Sequence, residues 1–110
     1  MNDRELTELA AKAAECYDLG DWDDKWNCLT NYEGWTFDPL TDDGDALRLA
    51  ALLNLEIGWD DKYEKECNVL ASIDGGIIYD CSFPYNGDKL AATRRAIVRA
   101  AAEIGRTMKE

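Results

Sequence analysis

Asp88-Lys89-Leu90-Ala91-Ala92-Thr93-Arg94-Arg95-Ala96-Ile97-Val98-Arg99-Ala100-Ala101-Ala102-Glu103-Ile104-Gly105 is the stretch on which the reading of this chain turns. It predicts a helix from about Asp88 to Met108 that buries Leu90, Ala91, Ile97, Val98, Ala101, Ile104 and Met108, its many alanines allowing close packing. Arg94, Arg95, Arg99 and Arg106 fall beside that face, where their stems cover apolar surface while the guanidinium groups reach carboxylates or water. From Lys89 onward the chain carries six basic and two acidic residues, net +4, whereas the residues before it carry six and twenty-one, net −15. This segregation suggests a helix whose arginines meet acidic groups elsewhere in the fold, or an anionic ligand.

Working outward, 110 residues fit a single domain, 1–110, with one modest core. No apolar run approaches the roughly 20 residues that cross a bilayer, so no membrane role is expected. The start, Met1-Asn2-Asp3-Arg4-Glu5, lacks the basic flank and apolar block of a secretory leader, which makes the cytoplasm the expected location. A net charge of −11 argues against broad nucleic-acid binding, which needs a basic footprint, and favours a basic partner. Cys16, Cys28, Cys67 and Cys81 contain no Cys-x-x-Cys pair and the chain has no histidine, so buried free thiols are favoured over zinc or disulfides.

The remaining pattern predicts an α+β fold, a small, mainly antiparallel sheet flanked by three helices in the order α-β-β-α-β-β-α. A first helix runs from about Asp3 to Tyr17, with Asn2 and Glu5 at capping-box spacing and Leu6, Leu9, Ala10, Ala13, Cys16 and Tyr17 in one stripe. Between Asp18 and Asp38, aromatic residues separated by turn formers suggest two short strands joined at Asn31-Tyr32-Glu33-Gly34. Thr41 or Asp42 caps a second helix, about Asp43 to Leu53, with Ala46, Leu47, Ala50, Ala51 and Leu53 facing inward and Asn54 as terminator. Strand signals follow at Leu55-Glu56-Ile57, Cys67 to Ile73 and Gly76 to Tyr79, and Asp74-Gly75 is a hairpin signal of type I′.

Chemistry is sparse. Asp42-Asp43-Gly44-Asp45 looks like the start of a cation loop, but an EF-hand would need a glutamate where Leu53 stands, so capping and dipole compensation are favoured and no metal site is expected. The absence of histidine, of a Gly-x-Ser-x-Gly elbow and of a phosphate loop argues against an enzyme, with no catalytic residue and no cofactor expected. Arg94, Arg95 and Arg99 could clamp a small anion or nucleotide, although pairing with Asp42, Asp43 or Asp45 explains both charge clusters without a ligand. Trp22-Asp23-Asp24-Lys25-Trp26 is echoed by Trp59-Asp60-Asp61-Lys62-Tyr63, too short for a structural repeat and readable as two similar acidic turns or two contact patches.

Trp35, the run Pro39 to Ala50 and the run Ala91 to Gly105, together with Met1 to Leu6 and Leu9 to Ala14, resemble a family of small tailed-phage and prophage proteins with a phage ABA-sandwich-type domain. The resemblance covers the three helices, roughly half of the chain, and not residues 18–34 or 59–85. It implies a sheet flanked by helices, a phage origin and residence in the bacterial host cytoplasm, and brings no catalytic residue or cofactor. The expectation is therefore a non-enzymatic phage accessory protein that binds a host or phage protein with a basic surface, in its specific form an inhibitor of bacterial defence or nucleic-acid-handling machinery. Trp22, Asp23, Asp24, Trp26, Trp59, Asp60 and Asp61 are the expected contacts, with Arg94, Arg95 and Asp43 as internal supports, because aromatic area beside carboxylates suits a basic surface. The alternative is a small-anion or nucleotide binder using Arg94, Arg95 and Arg99, and the sequence leaves a homodimer open.

Overall fold

The computed structural model describes residues 2–14, 21–23, 28–30, 36–73 and 76–107, and of residues 21–23, 28–30, 36 and 73 the backbone alone. In chain order the elements are α1 Asp3–Ala14, β1 Asp21–Asp23, β2 Cys28–Thr30, β3 Thr36–Phe37, α2 Asp43–Leu52, β4 Glu56–Asp60, β5 Glu66–Ile73, β6 Gly76–Pro84 and α3 Lys89–Thr107. The chain is thus α+β with three helices separated by antiparallel strands. Each interval holds a three-stranded meander, β1-β2-β3 and β4-β5-β6. In the second, the Leu55-Glu56-Ile57 signal extends to Asp60 and pairs as a strand of its own, Ile57 opposite Val69 and Trp59 opposite Cys67. The Asp74-Gly75 pair lies outside the described residues, but the strands flanking it form the expected hairpin, Ile73 opposite Gly76. Asn31 to Gly34 also lies outside them.

Each helix starts where a side-chain oxygen can take up an orphaned amide. Asn2 accepts from the Glu5 amide at 2.8 Å, Asp42 from the Asp45 amide at 2.8 Å, and Asp88 from the Ala91 amide at 3.0 Å. Of the two expected caps of α2, Asp42 is the one used. The helix ends as expected at Asn54, whose φ of 53° puts it in the left-handed region. The Leu55 amide reaches back to the Ala50 carbonyl and the Asn54 amide to that of Ala51, a Schellman closure.

α3 lies between the sheet β4-β5-β6 on one side and α1 with α2 on the other. That position explains its composition. Ala92, Ala96, Ile97, Val98, Ala100, Ala101, Ala102, Ile104 and Gly105 are all buried, more of the circumference than a one-sided helix would hide. Leu90, expected inside, is 61% exposed because it precedes the covered part of the helix; Met108 lies outside the described residues. In α2, Ala46 and Ala50 face inward as expected, but the large inward side chain is Leu49. Leu47 is 67% exposed and Ala51 is exposed too, since buried Asp45 rotates the inward stripe to positions 45, 46, 49 and 50. Leu6, Ala10 and Ala13 of α1 are buried as read, joined by Thr7, whose hydroxyl donates to the Asp3 carbonyl at 2.9 Å; Cys16 and Tyr17 lie outside the described residues.

α1 and α3 touch at backbone level. A Cβ at Gly105 would lie 2.1 Å from the carbonyl oxygen of Leu9, which no side-chain rotation can relieve. Alanine there gains about 1 kcal/mol of helix propensity over glycine but must push the helices apart. The steric term wins: Gly105→Ala is expected to destabilise the fold by about 1–3 kcal/mol net, read as a lower denaturation midpoint with unchanged slope.

Candidate functional site

The described copy of the Trp-Asp-Asp-Lys-aromatic sequence sits where β4 ends, and its residues divide their work. Trp59, the penultimate residue of β4, is on the helix-facing side of the sheet, yet it stands at the rim and is 49% exposed. Its indole Nε1 donates to the Thr93 hydroxyl at 2.9 Å, and that hydroxyl donates to the Lys89 carbonyl at 2.8 Å. Asp60 folds back on the turn it begins, accepting from the amides of Tyr63 at 3.0 Å, Glu64 at 3.3 Å and Lys62 at 3.2 Å. Those amides, Tyr63 first, lower the Asp60 pKa below its ordinary 3.8. Asp60 therefore shapes the loop, and Asp61 faces outward beside it.

Asp61 accepts a 2.6 Å hydrogen bond from the Tyr85 hydroxyl and a 3.0 Å bond from Lys89 Nζ. Both lower its pKa, the tyrosine bond most. Burial and the Asp61 carboxylate together push the Tyr85 phenol well up, so it remains a donor. Lys89 Nζ also lies 5.7 Å from the ring centroids of both Trp59 and Tyr85, within cation–π range. The Tyr85 amide donates to the Lys65 carbonyl at 2.9 Å, tying the far end of the same turn. What holds Tyr85 and Lys89 in reach of one another is a turn the sequence reading passed over. Asn86 and Gly87 have φ of 50° and 86°, and the Asp88 amide closes on the Tyr85 carbonyl at 2.8 Å. Asn-Gly is a dipeptide that type I′ turns favour, because both central residues take positive φ, and it was the signal available.

This network ties the end of β4, the turn 61–65 and the first turn of α3 together, and each of the three bears an exposed large side chain: Trp59, Tyr63 at 75% and Leu90. Tyr63 and Leu90 are the contact candidates that the sequence reading did not single out. The other copy is less visible. Trp22 and Asp23 end β1, as Trp59 and Asp60 end β4, and each strand pairs antiparallel with the next. Their side chains, and Asp24 and Trp26 entirely, lie outside the described residues.

Arg94, Arg95 and Arg99 of α3 are each taken by a carboxylate, on α2, on α1 and on α3 itself. Arg94, whose side chain is only 18% exposed, donates to the Leu40 carbonyl at 2.9 Å and to Asp43 at 2.7 Å. Arg95 meets Asp3 of α1 at 3.0 Å, and Arg99 pairs with Glu103 while lying over the Tyr79 ring. Burial alone would raise Glu103, but Arg99 and Arg106 bring it below its usual range. The aspartates of α2 are likewise occupied: Asp42 caps, Asp43 holds Arg94, and buried Asp45 accepts from the Asp38 amide at 3.0 Å and meets Arg48 at 3.4 Å. Among the described residues no cluster of metal-ligating side chains occurs, and no helix is long and apolar enough to cross a membrane. Cys67 and Cys81 are free thiols on the helix-facing side of the sheet; burial raises the first and pushes the second up to about 11, so neither is a ready thiolate at neutral pH. Comparison with protein-family models, curated proteins and solved structures found no match.

The two kinds of arginine pair should separate in stability measurements. Arg94→Ala removes a charged donor from a shielded carbonyl and is expected to cost about 1.5–3 kcal/mol, whereas Arg95→Ala breaks a solvent-screened pair worth under about 1 kcal/mol. Parallel denaturant melts of the two variants check this. The site should also be acid-labile. Because the folded pKa values of Asp60 and Asp61 lie below the ordinary 3.8, their contribution is complete above that value and is lost as pH falls through the lowered ones. Carboxyl-carbon NMR titration is expected to show both groups titrating below 3.8, with Tyr85→Phe moving Asp61 back toward it.

Proposed function

We propose that this chain is a protein-binding module that engages a basic partner through the rim formed by Trp59, Asp61, Tyr63 and Leu90. The observation that carries the reading is the exposure of three large apolar side chains on segments locked together by the Tyr85–Asp61–Lys89 network. Aromatic area held in a fixed geometry loses little entropy on binding, and the exposed Glu64 carboxylate beside it offers negative charge to a basic partner. Binding rather than catalysis suits the raised thiols and the carboxylates committed to capping and pairing. The phage setting, with action in the host cytoplasm on a defence or nucleic-acid-handling protein, is the part of the proposal that rests on the resemblance of the three helices.

The anion-binding alternative is less well supported by the geometry. A nucleotide gathered by Arg94, Arg95 and Arg99 would have to displace Asp43, Asp3 and Glu103, which come from α2, α1 and α3.

Capture from lysate of phage-infected bacteria, followed by calorimetry with the captured protein, tests the proposal. Tyr63→Ala and Trp59→Ala are each expected to weaken binding by about 2 kcal/mol, roughly thirtyfold, while Arg95→Ala leaves it unchanged. Melting curves confirm that the variants fold. Equal affinity of wild type and both aromatic variants would remove the proposed surface, and stabilisation of the free chain by nucleotides would favour the alternative.

A further inference from the structure

The sheet β4-β5-β6 has two edges, and they are protected unequally. β4 is five residues long and carries an acid at each end, Glu56 and Asp60. β6 is nine residues long, pairs among the described residues with β5 alone, and holds one charge, Asp80. Edge strands are usually blunted by lysine, by shortness or by a covering element. On β6 the only such devices are the irregularity opposite Ala71/Ser72 and the terminal Pro84, which leave Tyr79 to Phe83 regular and pairable. Among the described residues, no backbone hydrogen bond reaches the outward side of this strand. Ile77, 65% exposed, and Ile78, also exposed, stand at its upper end.

The register sets the chemistry around that edge. Ile57, Trp59, Cys67, Val69, Ala71, Tyr79, Cys81 and Phe83 share the helix-facing side, so Glu56, Asp60, Glu66 and Asp80 share the other with Gly58, Asn68, Leu70 and Ser82. That face carries four carboxylates and no basic side chain. We propose that the free edge of β6 accepts an extended, basic segment of a partner protein as a fourth strand, its alternate side chains lying beside Asp80 on one face and beside Tyr79 and Cys81 on the other. Main-chain hydrogen bonds provide the attachment, and alternation provides the selectivity. A second copy of this chain would fit the backbone equally well but would bring a net charge of −11 against the same sign. The proposal rests on the binding role put forward above, and it uses the opposite edge of the sheet from Trp59.

The probe is a synthetic peptide alternating lysine and valine, about ten residues long to match a nine-residue strand, titrated into the isotope-labelled chain. Expected are amide shifts concentrated in β6, slowed hydrogen exchange at its alternate amides, and a loss of about tenfold or more in affinity for Ile77→Lys/Ile78→Lys, exposed changes that leave the core alone. The Trp59→Ala/Tyr63→Ala double variant should bind this peptide like wild type, so failure of the rim surface and failure of the edge are separable. The proposal is overturned if a peptide of equal charge with central prolines binds as tightly, or if the lysine variant binds unchanged. It is also overturned if the alternating peptide does not bind, or if β6 is protected by concentration-dependent self-association in sedimentation, which would make a second copy the occupant.

Discussion

Everything in this fold follows from how closely α3 lets its neighbours approach. Gly105 admits the Leu9 carbonyl to within a distance that excludes any side chain, and the alanines before it do the same, less severely, over the remaining turns. A helix with small residues around most of its circumference can be covered on both sides by thin layers, so a chain of 110 residues makes a continuous core from three helices and a sheet. Small side chains bury little area each, and close packing must provide the stability through many weak contacts.

That choice determines the electrostatics. When the interior of a helix interface is alanine, its rim must be bridged by long side chains, and arginine reaches farthest with the most donors. Arg94 spans to α2 and a loop carbonyl, Arg95 to α1, and Arg99 lies along the sheet against Tyr79. The basic residues that the sequence concentrates in one helix are thus spread over three interfaces. Segregation in sequence becomes neutralisation in space.

The sequence disclosed the helices because each has an independent mark: a cap at Asn2, Asp42 and Asp88, a left-handed terminator at Asn54, and a small-residue periodicity in α3. It placed Leu47 rather than Leu49 inside because spacing alone cannot tell that Asp45 is buried, held by the Asp38 amide and by Arg48, and so shifts the stripe. It singled out Trp59, Asp60 and Asp61 together through the echoed pentapeptide, but it could not see that Asp60 would spend its carboxylate on its own turn. Tyr85 and Lys89 were legible only through the Asn86-Gly87 turn. Their partner Asp61 is 24 and 28 residues away, a separation that no local pattern encodes.

The distribution of charge is the step from the fold to the binding role proposed for it. Seven basic side chains among the described residues are engaged in ion pairs, most of them about α1, α2 and α3. The strands of β4-β5-β6 place carboxylates and no base on the outer face of the sheet, whereas the turn at the end of β4 mixes acids with Lys62 and Lys65 beside its exposed rings. Close helix packing demanded the arginines, and their use at the helices left none for the sheet. The carboxylates without a base on their own strands therefore lie on the outer face of the sheet, away from the helical layer. A partner that supplies positive charge and apolar area together gains from both, whereas one that supplies only charge meets a solvated, screened surface.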